Sequence, residues 1–335
     1  MTSIFDLYGK TNITTVVGSM PVANPADSLE KKVYEAVESQ IKAGIDVIST
    51  GQVSMYGKNM IDPFLSTVDN IVYKDLFKKS IFTPEIMPGQ FIKLKKDFQS
   101  ASVIEEIVIA KKYLLKNSID NIKLKAAVTG PNTILHDIPG HGLGKYTSLK
   151  SILKDIGEIL VAVIKKMVEA GADTVQIDEP VLALSVYKDV ETRIDAIEAI
   201  TNKVSPQYGC AIHVCGKIDT DLFKLLSMVN NVEILDFEFS LYERNFTTIK
   251  PEILRQANKF GTPKNLSIGV VSSVNSMIEN VDVVKDRMRD AMKRYGKKNI
   301  CFAPDCGLRG FTPEVAHAKL KVITQALTEL EAERI

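Results

Sequence analysis

Ala211-Ile-His213-Val-Cys215-Gly216 ends an apolar run that starts at Cys210. Cys210–Val214 is short and continuously apolar up to the histidine, the pattern of a strand buried on both faces. Residues two apart on a strand point to the same side. His213 and Cys215 therefore face one way together, roughly 6.6 Å apart along the chain. Imidazole and thiolate are the protein ligands zinc prefers, and a catalytic zinc keeps one position exchangeable. Taken alone, the pair is more simply read as a small buried thiol beside a hydrogen-bonded core histidine. The rest of the chain decides between the two readings.

Outward from this strand, apolar runs alternate with amphipathic stretches. The spacing predicts strands at Ile13–Gly18, Asp46–Thr50, Lys123–Val128, Thr174–Asp178, Cys210–Val214, Glu233–Glu238, Leu266–Val271 and Asn299–Pro304. It predicts helices over Ser28–Ala43 (capped by Asp27 or Ser28), Ala101–Lys116 and near 148–170, 189–203, 219–229, 249–259, 281–295 and 313–332. The helical period is clearest in Ile156, Ile159, Leu160, Val163, Ile164 and Met167. Gly171, Gly261 and Gly296 stand where helices should stop. Residues 67–97 break the rhythm: Val72-Tyr73, Phe82 and Phe91-Ile92 sit among Lys, Pro and Gly and read as a hairpin-like excursion. Eight strand-helix units imply a parallel sheet closed into an α/β (β/α)₈ TIM barrel, one domain over 1–335 with an insertion after strand two. An open doubly wound sheet fits less well, because Gly18-Ser19-Met20-Pro21 after the first strand is no dinucleotide fingerprint.

In a barrel, active-site residues gather where strands end. The eight ends here carry Gly18-Ser19, Thr50-Gly51-Gln52, Thr129-Gly130-Pro131-Asn132-Thr133, Gln176-Ile-Asp178-Glu179-Pro180, His213 with Cys215, Glu238, Val271-Ser272-Ser273 and Pro304-Asp305-Cys306-Gly307. Zinc-ligand types thus converge from neighbouring strands five, six and eight, and this favours the metal reading of His213, Cys215, Glu238 and Cys306. The four cysteines also form two pairs five residues apart, Cys210/Cys215 and Cys301/Cys306. A four-cysteine site is rejected, since five steps on a strand span about 16 Å and end on the opposite face. Cys210 and Cys301 read as core residues.

Composition narrows the class further. The chain has 335 residues, 45% of them hydrophobic, which is enough for a barrel-sized core. Lys and Arg number 42 against 41 Asp and Glu, a net charge of +1, so no basic stripe invites nucleic acid. The longest apolar stretch, near Ile159–Ile164, is too short to span a bilayer. Met1-Thr-Ser-Ile-Phe-Asp lacks the basic and apolar regions of a signal peptide. A cytoplasmic protein that meets neither nucleic acid nor membrane is expected.

These strand-end motifs, in this order on eight strands, resemble the catalytic barrel of cobalamin-independent methionine synthase. The resemblance runs from Val16-Val-Gly18-Ser19 through Gly51-Gln52, Thr129-Gly-Pro-Asn-Thr133, Gln176-Ile-Asp178-Glu-Pro180, His213-Val-Cys215 and Glu238 to Pro304-Asp-Cys306-Gly-Leu308. It implies that His213, Cys215, Glu238 and Cys306 hold a Zn2+ ion and that homocysteine accepts the methyl group. It further implies that Asp178 grips the substrate ammonium and Gly18-Ser19 its carboxylate. A thiol with a pKa near 8.5 is mostly protonated at neutral pH, whereas a zinc-coordinated one is deprotonated. Glu238, the hardest donor of the four, is the ligand expected to loosen as substrate sulfur enters.

The departures concern the methyl donor. The long members of the family carry a further N-terminal barrel, and the resemblance here implies a core-only form. Where they place a folate-contacting tryptophan this chain has Asp137, and it contains no tryptophan. A folate-contacting glutamate corresponds to Leu184, and Gly269-Val-Val-Ser-Ser-Val-Asn275 lacks the family's proton-donating histidine. Protonating an amine leaving group needs a general acid, whereas a methyl-cobalt donor leaves without one. Methylcobalamin, carried by a corrinoid protein, is therefore the expected donor. Gln52 replaces a glutamate that contacts homocysteine. His136-Asp137-Ile-Pro-Gly-His141-Gly-Leu-Gly144 reads as a Gly-rich loop, either a donor-side lid or a plain connection. His317 reads as structural. Two further readings stay open: a methylcobamide:thiol methyltransferase of the coenzyme M type, and a non-catalytic, zinc-stabilised partner of a corrinoid protein.

Overall fold

A computed structural model describes residues 3–5, 9–76, 81–138, 143–184, 188–204, 206–260 and 263–333. Among them eight strands form one parallel sheet: β1 (Asn12–Thr14), β2 (Val47–Ser49), β3 (Lys123–Thr129), β4 (Thr174–Asp178), β5 (Cys210–Val214), β6 (Val232–Glu238), β7 (Asn265–Val271) and β8 (Ile300–Pro304). Their order around the sheet is β1-β8-β7-β6-β5-β4-β3-β2. Parallel bridges from Thr15 to Val47 and from Ser19 to Gly51 bring β1 beside β2 and close the barrel. The outer helices are α1 (Leu29–Lys42), α2 (Ser102–Lys116), α3 (Leu149–Glu169), α4 (Val190–Thr201), α5 (Thr220–Met228), α6 (Pro251–Phe260), α7 (Val281–Tyr295) and α8 (Pro313–Ala332). This is the TIM barrel that the sequence predicts.

Local chemistry explains the element ends. Ser28, not Asp27, caps α1 by accepting a hydrogen bond from Lys31 N. Thr312 caps α8 in the same way from Val315 N, with Pro313 in the first turn. Gly171 and Gly296 follow α3 and α7 with φ of +113° and +117°, which side-chain-bearing residues rarely adopt, and Gly261 lies outside the described residues.

Alternation along the strands sorts the core into two parts. Cys210, Ile212 and Val214 of β5 pack outward into the layer under the helices, together with Ile152, Ile156, Leu160 and Ile164 of α3. Inside the barrel, Ile13, Val47, Ala211, Ile234 and Cys301 meet Ile4, Phe5 and Tyr208 in a separate apolar floor at the N-terminal end of the strands. Above this floor the interior turns polar, with Lys125, Gln176, His213 and Asp236 all buried. Cys210 and Cys301 are free, buried thiols, as the sequence reading expects.

The excursion after β2 is an antiparallel pair, Ile71–Leu76 with Ile81–Ile86, beside a two-residue pair, Val68–Asp69 with Lys93–Leu94. It docks on the segment entering α3. Ile86 bridges Leu143, and Lys145 N donates to Gln90 O at 2.9 Å. Tyr146 Oη donates to Asp155 Oδ2 at 2.7 Å and accepts from Ile92 N at 3.2 Å. The predicted 136–144 loop needs correcting at its start: His136 and Asp137 form the last turn of a helix, Pro131–Asp137. Burial raises the Asp137 carboxyl above its usual range. His141 lies outside the described residues.

Strand order corrects one further expectation. β5 and β6 are neighbours, but β7 stands between β6 and β8, so Cys306 has to cross a strand to reach the others. The chain crosses at Gly269 of β7. A Cβ on Gly269 would lie 2.3 Å from Asp305 Oδ1 and 2.7 Å from Asp305 Cα, closer than real atoms approach. Without that side chain, Asp305 leans over β7 and accepts from Phe239 N (3.0 Å), Ser240 N (2.9 Å) and Leu241 N (2.9 Å) beyond β6. Gly269→Ala forces Asp305 out of this position. We expect it to destabilise the protein by about 1–3 kcal/mol, the usual range for overpacking, read as a lower urea midpoint.

Candidate active site

His213 ends β5 pointing into the barrel mouth. Its Nδ1 lies 2.6 Å from Asp236 Oδ1 on the neighbouring strand, where the two residues are in register. A carboxylate can only accept, so Nδ1 carries the proton and Nε2 faces the other way. There Nε2 meets Cys215 Sγ at 2.7 Å, and Cys215 Sγ lies 3.2 Å from Cys306 Sγ. The two-residue spacing thus does what the sequence reading expects: it puts imidazole and thiol on one side. Among the described residues, these three form the one cluster whose ligand atoms all lie within 4.8 Å of one another.

Glu238 stands beside the cluster, not inside it. Its Oε2 accepts from Gly216 N at 3.0 Å, and Asn245 holds the turn by donating to Gly216 O at 3.0 Å and Glu238 O at 2.6 Å. Burial, the Cys306 sulfur and Asp305 push the Glu238 carboxyl up to about 7. The hydrogen bond from Cys215 to Cys306, together with the nearby imidazole, holds the Cys306 thiol well below its ordinary pKa. The same bond pushes Cys215 well above it. Burial works against a charged His213, yet Asp236 and Cys306 together drive its pKa up.

The donor set suits zinc. Tetrahedral zinc with bonds of about 2.3 Å to sulfur spaces two thiolates at about 3.7 Å. The cluster sits roughly half an ångström tighter, in contact by hydrogen bonds, and a small outward shift would accommodate an ion. Asp236 supplies what zinc-binding histidines usually have, a carboxylate on the far nitrogen that fixes tautomer and ring. Sequence reading missed it. The signal was an acid two residues before Glu238, hence on the same face of the strand.

The residues expected to hold an amino acid ring the same mouth. Ser49 Oγ donates to Gly18 O at 2.5 Å. Gln52 adopts a left-handed backbone, φ +48°, and its Oε1 comes within 2.9 Å of where a Gly18 Cβ would be. Ser19 lies against Gly307, the residue after Cys306: a Cβ there would meet Ser19 Oγ at 2.0 Å, and Leu308 N donates to Ser19 O at 2.7 Å. Asp178, at the end of β4, pairs in register with His213. Burial raises its carboxyl to about 6, while His213, Gln176 and Lys125 pull the other way. Glu179 has a different task. It is fully buried and accepts from Asn132 N, Asn132 Nδ2, Thr133 N and Thr133 Oγ1 at 2.8–3.0 Å, so it caps the helix that follows β3. His317 makes a local contact, Nδ1 to Ser39 O at 3.1 Å, as a structural histidine does.

The Asp236–His213 contact is testable on its own. Asp236→Asn keeps the shape but offers an amide that can present N–H to Nδ1, which lets the ring turn or change tautomer. We expect zinc affinity to fall about 10–100-fold, the range seen for lost outer partners. Competition with a chromogenic chelator measures it, and unchanged affinity would remove Asp236 from the site.

Residues 17–329 match the family model described as cobalamin-independent synthase, catalytic domain. Relatives named methionine synthase include one from Methanothermobacter marburgensis, 29% identical over 95% of this chain and 99% of its own. Another, from Methanocaldococcus jannaschii, is 27% identical over 94% and 98%. Among solved structures, a B12-independent methionine synthase from Shewanella sp. W3-18-1 in complex with selenomethionine superposes with a TM-score of 0.75, at 18% identity over 96% of this chain and 98% of that one. A methyltransferase from Methanosarcina mazei gives 0.68 at 16% identity, over 98% and 97%. At such identities the structures show a shared fold. None of the described helices is long and apolar enough to cross a membrane. With the family model spanning nearly all of the barrel and its strand-end motifs, the chain belongs to the catalytic-domain family of the cobalamin-independent methionine synthases.

Proposed function

We propose that the chain works as one catalytic barrel that methylates the sulfur of homocysteine, with Zn2+ held by His213, Cys215 and Cys306 and with Glu238 as the fourth, exchangeable ligand. The observation that carries this reading is the meeting of one imidazole and two sulfurs from β5 and the β8 exit beneath a polar lip of Gly18, Ser19, Gln52 and Asp178. Bound there, zinc supplies the Lewis acidity that lets a thiol shed its proton at neutral pH. The protein's own residues do the rest. Asp236 keeps His213 Nε2 turned to the centre, Asp178 receives the substrate ammonium with Gln52 as an uncharged acceptor beside it, and Gly18-Ser19 takes the carboxylate. Fixing the amino acid by both ends holds its sulfur in line with the incoming methyl group, and such positioning accounts for much of the rate in group transfers. The methyl carbon forms its bond to sulfur as its bond to the donor breaks.

Two observations favour this reading over its rivals. A sulfonate thiol of the coenzyme M type needs a cation at the lip, but Asp178 at the lip is an acid, and Lys125 is buried below it. A purely structural zinc takes a closed set of four ligands, whereas Glu238 stands apart from the three-residue cluster. The expected donor, methylcobalamin or a methylated corrinoid protein, rests on the missing tryptophan and on the lack of histidine after β7. The cobalamin-independent description of the family weighs against it.

X-ray absorption at the zinc edge tests the acceptor side. Adding homocysteine is expected to add one sulfur to the metal's shell, and no added sulfur would end the catalytic reading. Cys306→Ser should lose most of its zinc and its methyl transfer. On the donor side, methylcobalamin and methyltetrahydrofolate are compared with the zinc-loaded protein. Equal or faster transfer from the folate would end the expectation that no leaving-group acid is needed.

A further inference from the structure

Lys125 is a cation in the interior of the barrel. It lies on β3 with 4% of its surface exposed, and it is not one of the residues expected to touch metal or substrate. Its ammonium donates to Val16 O and, at 2.5 Å, to Gln176 Oε1. Gln176, fully buried on the next strand, donates from Nε2 to Asp178 Oδ1 at 2.7 Å and to Val17 O at 2.8 Å.

The amide of Gln176 has one orientation available. An ammonium only donates, so the atom facing Lys125 is the carbonyl oxygen. The amide nitrogen then faces two acceptors, the Asp178 carboxylate and the Val17 carbonyl. This arrangement ties down Asp178 Oδ1. Among the described residues Asp178 Oδ2 has no hydrogen-bond partner, nor is it a sealed, unsatisfied atom. It stays open toward the mouth. Removing the ammonium leaves a buried amide oxygen without its donor, a penalty that the amide relieves by turning away from Asp178.

We infer that Lys125 is a positioning residue for the amino end of the substrate, acting through Gln176 to hold the Asp178 carboxylate with one oxygen anchored and the other presented. This rests on the proposal that Asp178 receives the homocysteine ammonium. Lys125 itself touches no substrate. It governs how well an α-amino group is held, and leaves the sulfur end alone.

The test compares homocysteine with 4-mercaptobutanoate, the same thiol acid without the amino group, by calorimetric titration of the zinc-loaded protein, with kcat measured alongside. Lys125→Met is expected to weaken homocysteine binding about tenfold, the scale of one hydrogen bond to a charged group. It should leave 4-mercaptobutanoate binding unchanged. Gln176→Met should give the same selective loss, and it decides the matter if Lys125→Met does not fold. In an Asp178→Asn background neither substitution should weaken homocysteine further, because residues acting through one partner are not additive. Equal weakening of both thiols, or additive effects with Asp178→Asn, overturns the inference. If Asp178→Asn itself treats the two thiols alike, the assignment of the ammonium to Asp178 falls and the inference with it. If Asp178→Asn discriminates and the other two variants do not, only the inference falls.

Discussion

The carboxylate of Asp305 ties the exit of β8, and with it Cys306, to the turn after β6. It accepts three consecutive backbone N–H groups beyond β6, across a β7 that presents only the α-hydrogens of Gly269 at the crossing. Three charge-assisted bonds to one buried acid are strong for a protein contact. Burial still raises the Asp305 carboxyl to about 6. The position of Cys306, and so the whole sulfur pair, hangs on this anchor.

The interior above the apolar floor carries an unusual amount of charge for a protein core. Lys125, Asp236 and His213 are buried together on β3, β6 and β5, with Asp178 and Glu238 at their upper edge. Buried charges are costly unless paired and fully hydrogen-bonded. Here His213 is satisfied by Asp236, and Lys125 by a carbonyl and an amide. Burial pushes the Lys125 pKa below its usual value, although the nearby Asp236 and Asp178 work against it. Such a layer contributes little to net stability. It fixes which way each polar group points, which is what a site for a small charged molecule needs.

Much of this was legible in the sequence because strand periodicity is simple. Apolar runs separated by amphipathic helices imply the barrel, and a period of two places His213 beside Cys215. Strand ends carrying Gly18, Ser19, Gln52 and Asp178 mark the rim. The errors have equally plain causes. Adjacency around the barrel made β6 and β8 look like neighbours, because the crossing at Gly269 leaves no sign in hydrophobic pattern. Asp236 and Lys125 were passed over as strand interior, and Gln176 was named only within a strand-end motif, since their roles come from partners on other strands. The 136–144 stretch looked like loop because its glycines and proline lie downstream of a helix that Pro131 starts and Glu179 caps.

The apolar floor has a bearing on how reactants come and go. Ile4, Phe5, Tyr208 and the inner residues around them stopper the N-terminal end of the cylinder. What reaches Cys215 comes over the opposite rim and leaves by the same doorway. In such a blind well the occupant that sits deepest must go in first and come out last.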